Sequence, residues 1–284
     1  MARPTPRVLA LFGQSNPNDD ATRVTSSMLV EPLAAELGAT NPDWDVDLVA
    51  GDGASKPCLA DRLWGQAAPD VLVAATHGLG LPHGHLCHRE EQGALVCQEW
   101  PGPTRSASRI DDDFYLAAAD VPETAQIKPR GMFSFACFSA GTPDTDDYVH
   151  LPGPRTHAIG STPFVARLPQ RLLAHPGGGL LAFVGHIDRA WTYSFMAPGA
   201  GAQLDVFKSA LRSVVDGVRV GHAMEYFGSR YAELSTALTA QLYARANYGV
   251  GIADPVSFAQ MWTANNDARG YVVIGDPAID GNAP

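Results

Sequence analysis

Cysteines and long apolar runs are both scarce in this sequence. Four cysteines occur in 284 residues, without a CxxC pair or a framework spacing, which predicts reduced thiols in a cytoplasmic protein. No apolar run approaches the roughly 20 residues of a membrane span. The run at residues 8–12 is too short for the core of a signal peptide. We therefore expect a cytoplasmic protein with no membrane partner.

Basic charge is also in short supply. Lys and Arg number 20 against 30 Asp and Glu, giving a formal net charge of −10, which argues against binding to a phosphate backbone and so against a nucleic-acid partner. The hydrophobic content of 45% is ordinary for a globular protein with a substantial core. No internal repeat, low-complexity tract or linker is evident. A single domain over residues 1–284 is the better interpretation.

Apolar runs and amphipathic stretches alternate along the chain. The first part predicts strands at 8–12, 46–50 and 71–76, with helices at 21–37 and 59–66 between them. This order is typical of an α/β fold whose mostly parallel central sheet carries helices on both faces. Later strands are predicted at 131–136, 180–185 and 271–274, and helices at 111–119, 163–174, 204–220 and 222–248. A loop with a β-hairpin is predicted at 79–105 and another loop at 142–163.

Two reactive side chains stand where predicted strands end. Cys137 follows the apolar run at 131–136, and His77 ends the run that begins at residue 71. Because ligands gather at the carboxyl ends of parallel strands, neighbouring strands would bring the imidazole and the thiol to one edge. A base beside a thiol generates thiolate and later protonates the leaving group. The alternative for Cys137 alone is an ordinary buried thiol, since cysteine is among the most buried residue types.

Four segments resemble the caspase-like clan of cysteine peptidases, which contains caspases, gingipains, separase, clostripain and the CHAT domains. Thr-His-Gly at 76–78 and Phe-Ala-Cys-Phe-Ser-Ala-Gly at 135–141 are similar to the two catalytic motifs of the clan. The glycine-led run at 178–184 resembles the strand after the catalytic cysteine in gingipain-like and CHAT proteins. Residues 271–278 resemble a segment that ends gingipain-like catalytic domains. The likeness covers nearly the whole chain and is nearest to the gingipain-like and CHAT families.

The resemblance implies a fold and an activity. The fold would be a caspase-like three-layer sandwich. The activity would be that of a cysteine endopeptidase working through a thiol-acyl intermediate, with Cys137 as nucleophile, His77 as acid and base, and no cofactor. The backbone N–H groups of Gly78 and Cys137 would form the oxyanion hole, and a glycine at 78 allows the close approach this needs. The implied partners are a polypeptide substrate and a regulatory protein or activator that restrains the enzyme.

In this clan the pocket for the substrate side chain before the cut (P1) is built from the loop after the first strand and from segments after the cysteine. Those segments carry Asp19, Asp20, Asp188 and Trp191. A carboxylate there would select Arg or Lys at P1, and Trp191 would supply an aromatic wall. The alternative for Asp19 and Asp20 is capping of the helix that follows them. His186 either lines the pocket or is a hydrogen-bonded core histidine.

Two polar loops leave further alternatives open. His83, His85, Cys87 and His88 crowd one loop without a standard zinc spacing, so a solvated or substrate-lining loop is favoured over a metal site. The acidic run at 144–147 predicts a solvated loop, with calcium binding as the alternative. Two competing functions remain, namely a catalytically inactive binding or regulatory module on the same fold and a metal-dependent hydrolase built on the histidine loop.

Overall fold

The computed structural model describes residues 7–103, 110–148, 158–197, 201–252 and 254–280. Its centre is a six-stranded sheet with the spatial order β6-β5-β4-β3-β1-β2. The strands are β1 (Arg7–Gly13), β2 (Trp44–Ala50), β3 (Val71–Ala75), β4 (Gly131–Phe135), β5 (Ala182–His186) and β6 (Tyr271–Gly275). The first five strands are parallel, and β6 runs antiparallel to β5. The predicted α/β class with a mostly parallel central sheet is confirmed.

The remaining elements are helices and short strand pairs. The helices are α1 (Asp20–Thr25), α2 (Glu31–Thr40), α3 (Lys56–Trp64), α4 (His88–Glu91), α5 (Arg167–Leu173), α6 (Asp205–Val215), α7 (Val220–Ala223), α8 (Glu225–Tyr248) and α9 (Pro255–Ala268). A π-helical turn, Ser26–Val30, joins α1 to α2. Antiparallel pairs join Leu95–Val96 to Tyr115–Leu116, Gly141–Thr142 to Phe164–Val165 and Met196–Ala197 to Gly201–Ala202. Within the described ranges, no helix is both long enough and apolar enough to cross a membrane.

Alternating side chains of the sheet build two hydrophobic cores. In β1, Leu9 and Leu11 belong to one core cluster, while Ala10 and Phe12 belong to the other. This is the period of two expected of a strand buried on both faces. The first cluster includes buried residues of α2, α6, α7 and α8, and the second those of α3 and α5. Helices therefore pack on both faces of the sheet.

The predicted helix at 111–119 is wrong. A 3₁₀ turn at Asp112–Phe114 leads into the short strand Tyr115–Leu116. Tyr115 and Ala117 are buried in a small satellite core, whereas Leu116 belongs to the second large core. Burial of alternate residues requires an extended chain, because a helix would place 115 and 117 on different sides.

Several other boundaries differ from the sequence prediction. The sequence predicts a β-hairpin near residues 94–98. Leu95–Val96 is a strand, but it pairs with Tyr115–Leu116 and not with a neighbouring segment. Phe164–Val165 is extended, so the helix predicted from residue 163 begins at Arg167. Helix α9 was not predicted, although Asp254 caps it and Pro255 opens it. Residues 104–105 and 149–157 of the two predicted loops lie outside the described residues.

Candidate active site

The end of the sheet brings His77 and Cys137 together. Strands β3 and β4 are parallel neighbours, and Ala75 is paired directly with Phe135. His77 and Cys137 each lie two residues beyond that pair, so both lie at the same edge of the sheet and at the same height along the strands. Both line one cleft of about 440 Å³. The other residues around the cleft are Asp20, Ala21, Thr22, Val24, Thr25, Ala75, Thr76, Phe135, Ala136, Arg189, Ala190, Trp191 and Thr192.

The backbones of the two motifs touch at Gly78. A Cβ placed on Gly78 would lie 2.8 Å from the amide nitrogen of Cys137 and would overlap its carbonyl oxygen. Only glycine allows this approach. Within the described residues, neither the Gly78 amide nor the Cys137 amide donates a hydrogen bond, since Gly78 sits between the bonds from Val96 N to His77 O and from Leu79 N to Ala94 O. Within the described part of the chain, both N–H groups therefore lack a protein acceptor.

The residue after Cys137 is strained. Among the described non-glycine residues, only Phe138 has a positive φ, at 57°. A left-handed backbone is unfavourable for a bulky side chain, by roughly 1–2 kcal/mol. Burial of the ring and a 2.8 Å hydrogen bond from Phe138 N to Asp188 O hold it in place. The strain turns the chain sharply at the cysteine, and strain of this kind concentrates at functional sites.

Asp19 is the partner of His77. The Nε2 atom of His77 lies 2.5 Å from Oδ2 of Asp19, and the imidazole also packs edge-on against Trp100. Asp19 is buried and its other carboxylate oxygen accepts a hydrogen bond from Ala21 N, so it also caps α1. Burial opposes ionisation, but the hydrogen bond and charge of His77 hold the pKa of Asp19 below its ordinary value of 3.8. An ionised Asp19 keeps a proton on Nε2, which leaves Nδ1 as the basic nitrogen.

Replacing Asp19 with asparagine is expected to lower any turnover that depends on His77 by at least about tenfold, because an amide no longer fixes one tautomer of His77. The pKa of Asp19 lies below 3.8 in the folded protein. The carboxylate therefore stays ionised as pH falls to about 4, and wild-type turnover should show no loss due to Asp19 above that pH. The matched control is Glu225→Gln, which removes an exposed carboxylate beside another histidine, His222, outside the cleft lining. Equal kcat in the two variants would contradict this role for Asp19.

Cys137 is a protonated thiol at rest. Its side chain is half-buried, and Sγ donates to the carbonyl oxygen of Ala190 at 3.7 Å. Burial raises the pKa of Cys137, and the nearby charge of Arg189 opposes this shift without reversing it. A thiol of this kind needs a base at the moment of attack, and His77 stands on the same cleft.

The alkylation rate of Cys137 by iodoacetamide should therefore keep rising as pH passes about 8.5, where an ordinary thiol begins to level off. The reason is that only the thiolate reacts, and a raised pKa moves its formation to higher pH. Mass spectrometry of the Cys137 peptide, with Cys137→Ala as the blank, gives this rate separately from the other cysteines. A rate that is already constant between mildly acidic and neutral pH would instead indicate a preformed thiolate.

The structure separates the five residues predicted to bind substrate. Asp20 and Trp191 line the cleft. His186 does not, because it is completely buried and its Nε2 lies 2.9 Å from the carbonyl oxygen of Asp267. Asp188 is also buried, and burial raises its pKa to about 6. Asp19 faces His77, so three of the five predicted pocket positions are not among the residues that line the cleft.

The sequence predicts carboxylates in the substrate pocket, whereas one acidic and one basic residue line the cleft. Asp20 and Arg189 are the charged residues among those that line it. The Asp20 carboxylate is exposed and paired with Arg23. The Arg189 guanidinium lies 2.6 Å from Asp146. The acidic run at 144–147 is thus tied to basic groups, since Asp147 also pairs with Arg269.

The histidine loop shows no donor set for a metal. Within the residues that the structure describes, no three His, Cys, Asp or Glu side chains are grouped so as to hold an ion. His88 is buried and packs against Phe164, with its ring 6.3 Å from that of His83. The described loop therefore offers nothing for the metal-dependent hydrolase alternative.

Comparison with known proteins adds no relative. No protein-family model matches the sequence, and no curated protein matches it at a significant level. The sequence analysis missed three groups at the site, namely Trp100, Arg189 and the strained Phe138. The run of small residues after Cys137 signals a sharp turn there, but no local pattern marks Trp100 or Arg189.

Proposed function

We propose that this protein is a cysteine endopeptidase of the caspase-like clan. The observation that carries the proposal is the placement of His77 and Cys137 at equal height on adjacent parallel strands, on one open cleft, with two unpaired amides beside them. The sheet order and the antiparallel last strand are consistent with a caspase-like sandwich.

The proposed reaction assigns one role each to Cys137, His77 and the two backbone amides. Cys137 Sγ attacks the carbonyl carbon of the scissile peptide and passes its proton to His77, whose Nδ1 is free to accept it. The oxyanion is stabilised by the N–H groups of Gly78 and Cys137. The imidazolium protonates the leaving amine, and a thiol-acyl enzyme remains. Water, deprotonated by His77, then releases the second product and restores the thiol.

The P1 preference that we propose is for an uncharged, apolar side chain. The cleft wall is built mainly from apolar groups, including Val24, Phe135 and Trp191. The basic preference expected from the sequence has little support, because Asp19 and Asp188 are engaged elsewhere. The two charged residues that line the cleft, Asp20 and Arg189, are already paired with Arg23 and Asp146.

Profiling with a fluorogenic peptide library, with Cys137→Ala as the blank, tests this function. We expect cleavage that is lost in Cys137→Ala and that favours apolar over basic P1 residues. Absence of any cleavage by wild type that the blank lacks would favour the inactive binding module. Cleavage only after Arg or Lys would retain the peptidase and overturn the apolar preference.

A further inference from the structure

A carboxylate lies buried behind the cleft wall. Asp267, near the end of α9, is completely buried. Its Oδ1 accepts a 2.7 Å hydrogen bond from Trp191 N, and its Oδ2 accepts a 2.5 Å bond from the Ser194 hydroxyl. Tyr271 in turn contacts Ser194 at 2.7 Å. Burying a carboxylate is costly, so a fully buried one requires a reason.

The hydrogen bonds of the peptide group between Ala190 and Trp191 explain why the Asp267 side chain is buried here. The N–H of this peptide group donates to Asp267, and its carbonyl oxygen accepts from Sγ of Cys137 at 3.7 Å. One rigid peptide plane therefore joins the buried carboxylate to the proposed nucleophile. Rotation of this plane would move the carbonyl away from Cys137 and the Trp191 ring out of the cleft wall.

The segment from Asp188 to Tyr193, which forms this wall of the cleft, is also held by hydrogen bonds at its two ends. At the first end, Asp188 O accepts from Phe138 N. Arg230 of α8 donates to Tyr193 O farther along. His186 supports Asp267 by approaching its backbone carbonyl with Nε2 at 2.9 Å. Between these ends, Asp267 accepts from the N–H of the 190–191 peptide, and the Tyr148 ring packs against the Trp191 ring at 5.6 Å.

We propose that Asp267 is a positioning residue, which sets the orientation of the Ala190–Trp191 peptide and thereby the substrate-binding shape of the cleft. The inference rests on the proposed function for its effect on peptide cleavage. Its effect on the shape of the cleft does not depend on that function, because alkylation of Cys137 reports the shape directly.

The test compares Asp267→Leu with Asp267→Asn. Leucine fills a similar buried volume without an acceptor, but it leaves Trp191 N–H and the Ser194 hydroxyl without their partner, so the melting temperature should fall. Asparagine keeps an oxygen that can accept from Trp191 N. We expect Asp267→Leu to raise KM for an apolar-P1 peptide by about tenfold with kcat changed much less, and Asp267→Asn to restore most of the loss.

The second readout is the ratio of Cys137 alkylation rates by N-benzyl iodoacetamide and by iodoacetamide. Loss of the Trp191 wall should lower this ratio by about fivefold in Asp267→Leu, because the aromatic reagent loses a ring contact and the small reagent does not. The matched control is Asp254→Ala, which removes the cap at the other end of α9. That variant should lower the melting temperature and leave the ratio unchanged.

A ratio and a KM that stay at wild-type values in folded Asp267→Leu would overturn the proposal. Equal slowing of both reagents would do the same, since it would indicate general distortion. If Asp267→Leu does not fold, Asp267→Ala replaces it, because it also lacks an acceptor for Trp191 N, and an unchanged ratio in that variant overturns the proposal. If the wild type cleaves no peptide, the proposed function is wrong. The alkylation ratio still tests the role of Asp267 in that case.

Discussion

Replacing His77 with alanine is expected to reduce kcat for peptide cleavage by about a thousandfold, within the usual range for removal of a general acid–base group. The size of the effect follows from the state of the nucleophile. Burial raises the pKa of Cys137, so the thiol holds its proton at neutral pH and cannot attack without a base. In the proposed reaction His77 also protonates the leaving amine, so both halves of acylation would lose their catalyst.

A control for this variant is available elsewhere in the chain. His222 is exposed and, like His77, lies beside a carboxylate, that of Glu225. His222→Ala should leave kcat unchanged, and both variants should keep the wild-type circular dichroism spectrum. A His77→Ala protein that keeps more than about a tenth of wild-type kcat would contradict the assignment of His77 as the acid–base residue.

Replacing Gly78 with alanine is expected to lower kcat by at least about a hundredfold and to destabilise the fold by about 1–3 kcal/mol. The added Cβ would lie 2.8 Å from Cys137 N and overlap Cys137 O, so the two motifs must move apart. This movement separates the two amides that are proposed to bind the oxyanion. Turnover and chemical denaturation, measured on the same preparations, give both quantities.

Gly80 provides the matched control for Gly78. A Cβ at Gly80 would meet only Phe138 Cε2, at the ordinary distance of 3.6 Å. Gly80→Ala should therefore keep kcat and stability close to wild type. If Gly78→Ala behaves like Gly80→Ala, the close contact between the two motifs does not serve the reaction, and the proposed oxyanion hole is wrong.

Much of the fold is visible in the sequence because its signals are local. The strands at β3 and β4 are short apolar runs buried on both faces, and each ends at a residue that breaks the pattern. The segment at 111–119 misleads because three aspartates before an apolar run imitate a helix start. Its true state depends on pairing with Leu95–Val96, which lies about twenty residues away along the chain.

The candidate site likewise has a part that the sequence predicts and a part that it does not. His77 and Cys137 can be predicted because parallel strand ends meet at one edge, whatever the loops between them do. The pairing of His77 with Asp19 spans 58 residues and depends on where the first helix starts. The hydrogen bond from Trp191 N to Asp267 spans 76 residues, and its acceptor lies in a helix that the sequence analysis did not find. Such contacts are set by packing of whole elements, and no local pattern announces them.

The central claim is that Cys137, activated by His77, attacks a carbonyl held in the cleft. Its most direct test is intact mass and peptide mapping after reaction with a peptidyl acyloxymethyl ketone that carries an apolar P1 residue. The account predicts a single covalent adduct on Cys137 in the wild type, with its formation strongly slowed in His77→Ala and absent in Cys137→Ala. Labelling on Cys58 or Cys87 instead, or labelling of Cys137 at the same rate without His77, would contradict it.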